Sequence, residues 1–347
     1  MVEAWYAVTV VLLTGYVVLD GFDFGAGALH PFVARTDAER RQVLSAIGPY
    51  WDGNEVWLLA AGGALFVAFP RVLSSGVSGF YFAIFLVIWC LLLRGISLEF
   101  RSHVEDPVWR RSWDFFFWVA SVLLPVFLGA ALGNLLRGVP LDADGWFELA
   151  LFTDFSAREP VGILDWYTIL VGVFALAALT AHGAVFLAWK TDGPVQSRSR
   201  GVARRAFPAV ALLWPVLTWA TRRVHPGFLE GLLGRPLAWL PAAAALGGLA
   251  AVFVALPRGR DRAAFLGSAA FLAGLSLATA ASVYPVMLRS SGDAALSLTA
   301  PNSAGDAGGL RTALGWALVA APFILLYLVI VWRMHRGKVR AGGEGAY

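Results

Sequence analysis

The sequence predicts an all-α polytopic membrane protein, a bundle of about nine transmembrane helices spanning residues 1–347 as a single integral membrane domain. Three observations predict it. Hydrophobic residues make up 59% of the chain, charged residues only 14%, and mean hydropathy is +0.69. An ordinary globular protein carries about 25% charged residues. With 15 Trp and 24 Phe besides, this apolar surface exceeds what one soluble core can hide, so the solvent must be lipid. The apolar residues also fall into runs of crossing length, separated by polar segments whose Lys and Arg are unevenly distributed.

Taken in order, the expected spans are 4–29, 51–70, 72–96, 113–136, 163–189, 204–222, 236–257, 263–288 and 312–333. Six rest on charge-free runs long enough to cross, since a crossing needs roughly 20 residues: Val72–Leu93, Phe115–Leu136, Trp166–Trp189, Pro236–Pro257, Ala263–Leu288 and Thr312–Trp332. The first span reaches full length only by continuing past Leu19 through Asp20 and Asp23. The second does so only by starting near Trp51, which brings in Asp52 and Glu55. The sixth carries Pro208 and Pro215, which favour a kink. Gly21-x-x-x-Gly25 and Gly129-x-x-x-Gly133 have the spacing that lets helices approach closely.

Sidedness follows from the basic residues. Segments 30–50, 99–112, 190–205, 257–262 and the tail from Arg333 hold 18 of the 27 Lys and Arg. The alternate set holds 8, and Arg94 lies within a span. The positive-inside rule puts the first set in the cytoplasm, the N-terminus outside and the C-terminus inside, as in a prokaryotic cell (inner) membrane protein. No loop can hold a soluble domain. Ser290–Gly309, rich in Ser, Gly, Asp, Ala and Asn, reads as an irregular external loop. The N-terminus has no basic n-region, so the first apolar segment is expected to remain. The single Cys90 rules out an internal disulfide or a CxxC site. No basic arm suggests nucleic acid, and no nucleotide or metalloprotease motif occurs.

With sidedness set, ionisable residues of the first three spans share one cytoplasmic depth: Asp20 and Asp23 late in span one, Asp52 and Glu55 opening span two, Arg94, Glu99 and Arg101 closing span three. A charge at mid-span costs roughly 2.5–3.5 kcal/mol on insertion scales, so these groups should face protein or water. Each pair of acids is three residues apart and shares a helix face. Intramembrane carboxylates commonly relay protons. The bland alternative, acids solvating a helix start, covers Asp52 and Glu55 but not Asp20 and Asp23, which lie at the dipole's unfavourable end. Asp20, Asp23, Asp52, Glu55 and Glu99 are therefore candidates for a proton path, and Arg94 is their structural counter-ion.

Of five histidines only His182 lies within a span, with no second His at matching depth. A bis-His haem needs two facing ligands, so His182 reads as a packing residue, the chain as binding no haem, and no metal site is expected. Trp51, Trp89, Trp113, Trp118, Trp166 and Trp189 lie mostly near span ends, as an interfacial belt does. Trp57 lies deeper.

The order of these segments is distinctive. Asp20-Gly-Phe-Asp-Phe-Gly25 closes span one, and Ile47-Gly-Pro-Tyr-Trp-Asp-Gly-Asn-Glu-Val-Trp-Leu58 opens span two. Phe69-Pro70, Ser78-Gly-Phe-Tyr81, Arg94, Glu99-Phe-Arg101, Gly133-Asn134 and Gly138-Val-Pro140 follow. This resembles subunit II of the cytochrome bd-type quinol oxidases, strongly over residues 1–140 and collinearly through Trp189-Lys190-Thr191 and Tyr284-Pro285. The resemblance implies a terminal oxidase that oxidises membrane quinol and reduces dioxygen to water. It places haem b and haem d in the partner, subunit I, and links Asp23 and Asp52 to proton delivery and Trp57 to the oxygen-access side. It also allows membrane lipid, quinone or a small accessory subunit as further partners. The short Gly/Ser/Asp-rich loop before the last span departs from the family, so no loop function is carried over. A proton-coupled secondary transporter is the competing class, but it would need discontinuous helices and usually a repeat. A purely structural assembly subunit is the third.

Overall fold

The computed structural model describes residues 1–341. Its helices, in chain order, are α1 (Val2–Val33), α2 (Asp37–Ile47), α3 (Trp51–Ala68), α4 (Pro70–Gly79), α5 (Tyr81–Phe100), α6 (Pro107–Arg137), α7 (Trp166–Lys190), α8 (Gly193–Val224), α9 (Gly227–Leu233), α10 (Pro236–Ala255), α11 (Asp261–Val283) and α12 (Ala307–Met334). Seven of them, α1, α5, α6, α7, α10, α11 and α12, are long and apolar enough to cross a membrane. The protein is an all-α polytopic bundle.

The helices differ from the expected spans at identifiable points. The run 72–96 is split at Phe80 into α4 and α5. Gly79 there passes under the Phe147 ring, where a Cβ would lie 2.2 Å from ring carbon. The run 263–288 is helical only to Val283, because Tyr284-Pro285 follows and proline cannot continue the backbone bonding. Val286–Leu288 instead forms strand β1, antiparallel to β2 (Leu298–Thr299), with a 3₁₀ turn at Ala294–Leu296 between them. The end of the expected span and the segment read as irregular thus pair as a small hairpin. Helix α8 starts well before residue 204, its extra turns tied by Arg198 to Glu39 at 2.8 Å and by Arg200 to Asp261 at 2.6 Å.

Local chemistry sets several ends. Thr36 Oγ1 accepts from the Glu39 amide and the Glu39 carboxylate accepts from the Thr36 amide, a capping box that opens α2. Asp106, Asp165 and Asp306 accept backbone N–H bonds at the starts of α6, α7 and α12.

Helix α1 is the axis of the bundle and touches α3, α6, α7 and α11. Every residue from Asp20 to His30 is buried. The closest approach is to α7, where Gly25 meets Gly183 backbone to backbone and a Cβ on Gly183 would lie 2.3 Å from the Gly25 carbonyl carbon. Gly129 and Gly133 press on α7 in the same way, against Gly172 and Thr168. Helix α12 differs: only Leu310 in it is buried. It is pinned at its ends. Trp5 Nε1 donates to the Leu310 carbonyl at 3.0 Å. Beyond the other end the Lys190 ammonium donates to the His335 carbonyl, the Val339 amide to the Lys190 carbonyl, and Gln42 Nε2 to the Val339 carbonyl at 2.7 Å.

Candidate functional site: a polar layer inside the bundle

The sequence gathers acids and an arginine at one depth, and the fold brings part of that set into contact. Arg94 of α5 is fully buried. Its Nη1 donates to Asp20 Oδ1 of α1 at 2.6 Å and its Nη2 to Glu55 Oε1 of α3 at 2.5 Å. The guanidinium also lies over the Phe24 ring, 4.5 Å from the centroid. Three helices are thus joined through one cation. Asp20 is sealed from solvent, whereas the Glu55 side chain is about a quarter exposed (26%). Removing one partner of such a buried pair costs about 3–5 kcal/mol, because the remaining charge stays buried.

Asp23, one turn on, is 1% exposed and accepts from Asn54 Nδ2 at 2.8 Å. Asn54 Nδ2 also reaches the Leu19 carbonyl at 2.9 Å. Asn54 stands within the Trp-Asp-Gly-Asn stretch, where an uncharged amide gives the sequence no cost of burial to flag it. Asp52 lies two residues earlier on α3, about 200° around the helix. It is therefore exposed when Asn54 is buried, and it does not join the layer. Glu99, five residues after Arg94, likewise turns outward and is exposed. Trp57 packs across α1 at Gly15, where a Cβ would lie 2.3 Å from its ring.

A second polar cluster, unforeseen as a unit, lies towards the end of α1 that the charge pattern assigns to the cytoplasm. Asp114 Oδ1 of α6 faces His30 Nε2 at 2.8 Å and accepts from Arg101 Nε at 2.6 Å. Asp114 Oδ2 accepts from Arg40 at 2.7 Å. Arg101 also reaches Asp37 of α2 at 2.8 Å. Burial raises the Asp37 pKa, but Arg101, Arg110 and Arg41 outweigh it and leave the carboxyl below its ordinary value. The Arg198 bond holds the Glu39 carboxyl below its ordinary value against burial. The available signal was the pairing of Arg101 with an acid just inside α6, but His30 and Asp114 are 84 residues apart and nothing local links them.

His182 is fully buried, with Nδ1 on Ser268 Oγ at 2.8 Å and Nε2 on the Val18 carbonyl at 3.0 Å. Its ring stacks on Phe265, 5.0 Å between centroids. Both nitrogens are occupied, as in a packing histidine. At the opposite end of the bundle Arg137 pairs with Asp165 and donates to Asn134 Oδ1 at 2.7 Å, so Gly133-Asn134 belongs to a structural tie between α6 and α7. Among the described residues no group of three or more His, Cys, Asp or Glu is placed to hold a metal ion.

The profile of the family "Cytochrome bd terminal oxidase subunit II" matches residues 1–335. The "Cytochrome bd-I ubiquinol oxidase subunit 2" of Escherichia coli (strain K12) is 33% identical, over 95% of this chain and 93% of the relative. The "Cytochrome bd ubiquinol oxidase subunit 2" of Bacillus subtilis (strain 168) is 32% identical, over 97% and 96%. In fold, the chain is similar to the solved bd oxidase of Geobacillus thermodenitrificans, with a TM-score of 0.73 and 19% identity, covering 96% of this chain and 98% of that one. The chain therefore belongs to the cytochrome bd terminal oxidase subunit II family and is a subunit of a quinol oxidase complex.

Proposed function

We propose that this chain is the haem-free membrane subunit of a quinol:dioxygen oxidoreductase, paired with a subunit I that holds haem b and haem d, and that it carries protons inward from the cytoplasm. The observation that carries the proton reading is the layer of Asp20, Asp23 and Glu55, held by Arg94 and Asn54 inside the bundle. Carboxylates kept at such depth, against the cost of burial, mark ion pathways by default. Arg94 is the counter-ion that makes the layer tolerable. Asp52 and Glu99, exposed at the same level, are surface acids that collect protons for it. Trp57, seated against α1, lies on the oxygen-access side.

The donor set does not suit haem in this chain. His182 has both ring nitrogens bonded, to Ser268 and Val18, which leaves His30, held by Asp114 through Nε2, without a second facing histidine. No step is therefore routed through a haem here. Nine crossings, α3 and α8 supplying the two beyond the seven most apolar helices, put the N-terminus outside and the C-terminus in the cytoplasm. Lipid, quinone and a small accessory subunit are further partners of the assembled complex.

The test is neutralisation at constant size. Asp23→Asn, and separately Asp52→Asn, should slow steady-state quinol oxidation while haem content and complex yield stay normal, with the double variant less than additive. Normal turnover in all three refutes the proton reading and leaves a structural subunit.

A further inference from the structure

Helix α1 carries a continuous buried stripe. Tyr16, Asp20, Asp23, Gly27 and His30 follow at spacings of four, three, four and three residues, which places them on one face. All four of its polar side chains are buried: Tyr16 at 3% exposure, Asp20 at 0%, Asp23 at 1% and His30 at 0%. Asp23 Oδ1 and His30 Nδ1 each lack a hydrogen-bond partner.

The glycine in this stripe is where a third orphan enters. Ser121 of α6 is fully buried and its Oγ has no partner. A Cβ on Gly27 would lie 2.0 Å from that oxygen and 3.0 Å from the Phe117 ring. Only a residue without a side chain leaves room for the hydroxyl against α1. Gly27 stands one turn from His30 and one turn from Asp23. A hydroxyl seated on Gly27 is therefore level with the backbone between them, about 4.5 Å of helix rise from His30 and about 6 Å from Asp23, and water bridges polar groups set that far apart. An orphaned buried polar group costs about 1–3 kcal/mol. A buried water needs two to four polar partners, and this stripe offers them in series.

We propose that Ser121 Oγ, together with His30 Nδ1 and Asp23 Oδ1, holds a file of buried water that delivers protons to Asp23. This rests on the proton-uptake reading above and names the route's outer segment. His30 is a positioning residue. The Asp114 carboxylate, itself held by Arg40 and Arg101, fixes the imidazole with its proton on Nε2, so that Nδ1 accepts from the first water. An excess proton then moves as each oxygen takes one proton and releases one. Ser121 gains a proton on its lone pair and gives up its own, ending as a neutral hydroxyl. Asp23 takes the last proton and becomes a neutral carboxylic acid, and the ring is unchanged.

The experiment uses the intact oxidase complex. Ser121→Ala removes the hydroxyl and keeps the helix contact. It should slow quinol oxidation about tenfold, a barrier rise of about 1.4 kcal/mol, with normal haem content, and should enlarge the solvent deuterium isotope effect on turnover. A merely structural serine would not change that isotope effect. Slow Asp23→Asn with normal Ser121→Ala overturns the water file and leaves the wider route standing. Normal turnover in both overturns the route and the file together. A density map of the unaltered complex gives a check that needs no variant. Ordered waters within hydrogen-bond distance of Ser121 Oγ and Asp23 Oδ1 are expected, and a dry contact there overturns the proposal.

Discussion

Replacing Arg94 with leucine removes the cation that joins α1, α3 and α5. The magnitude follows from the geometry. Asp20, at 0% exposure, loses its ion-pair partner at 2.6 Å, a loss of about 3–5 kcal/mol for a buried charge left alone. The Glu55 arm adds less, because that side chain keeps 26% of its surface in solvent and is screened. Asp20→Leu alone should cost less than Arg94→Leu, since Arg94 keeps Glu55. The double variant Arg94→Leu/Asp20→Leu removes the Asp20 carboxylate together with its partner, so that acid no longer stays buried and unpaired, and should recover at least half of the single Arg94→Leu loss. Thermal unfolding of the purified complex, read as loss of the haem spectrum, ranks the three. Strictly additive losses would refute the reasoning, because they would mean that the two residues act independently.

Three further outcomes are expected. Glu39 has its pKa depressed by Arg198, so its contribution to stability is present above its ordinary pKa of 4.5 and lost as pH falls below it; Glu39→Gln should flatten melting temperature against pH in that acid range, and an unchanged curve would count against the bridge. Gly183→Ala puts a methyl 2.3 Å from Gly25 backbone and should cost at least about 1–3 kcal/mol, seen as lower complex yield, whereas Gly247→Ala, with open space around it, should be silent. Cysteines placed near Ser303 should be labelled by an impermeant thiol reagent added outside intact cells, and cysteines near Arg198 should not; the reverse pattern inverts the topology.

Much of this architecture was legible because lipid imposes a coarse rule, that apolar runs of crossing length are helices. The polar layer was legible for the same reason, since Asp20 and Asp23 are conspicuous where charge is costly. What the sequence hid was rotation. Asp52 and Asn54 are two residues apart, and one faces outward while the other bonds Asp23. Periodicity gives their relative angle but not which side α1 occupies. The His30–Asp114 pair was hidden for a second reason: it bridges 84 residues, and neither partner has a local companion that announces it. At the break, Gly79 and Phe80 meet Phe147, another partner far along the chain.

The pinning of α12 bears on biosynthesis. The helix buries almost nothing along its length, so its position depends on bonds at two ends. One is made by Trp5 in the first turns of the chain, the other by Gln42 and Lys190 to residues 335 and 339. Neither can form until nearly the whole chain has left the ribosome. The last helix can therefore close the molecule only after the rest of the chain is made, like a bolt shot after the door is hung. A nascent chain stalled before residue 335 should therefore carry a packed α1–α7 core and a loose final helix, and a membrane quality-control protease would meet that helix first.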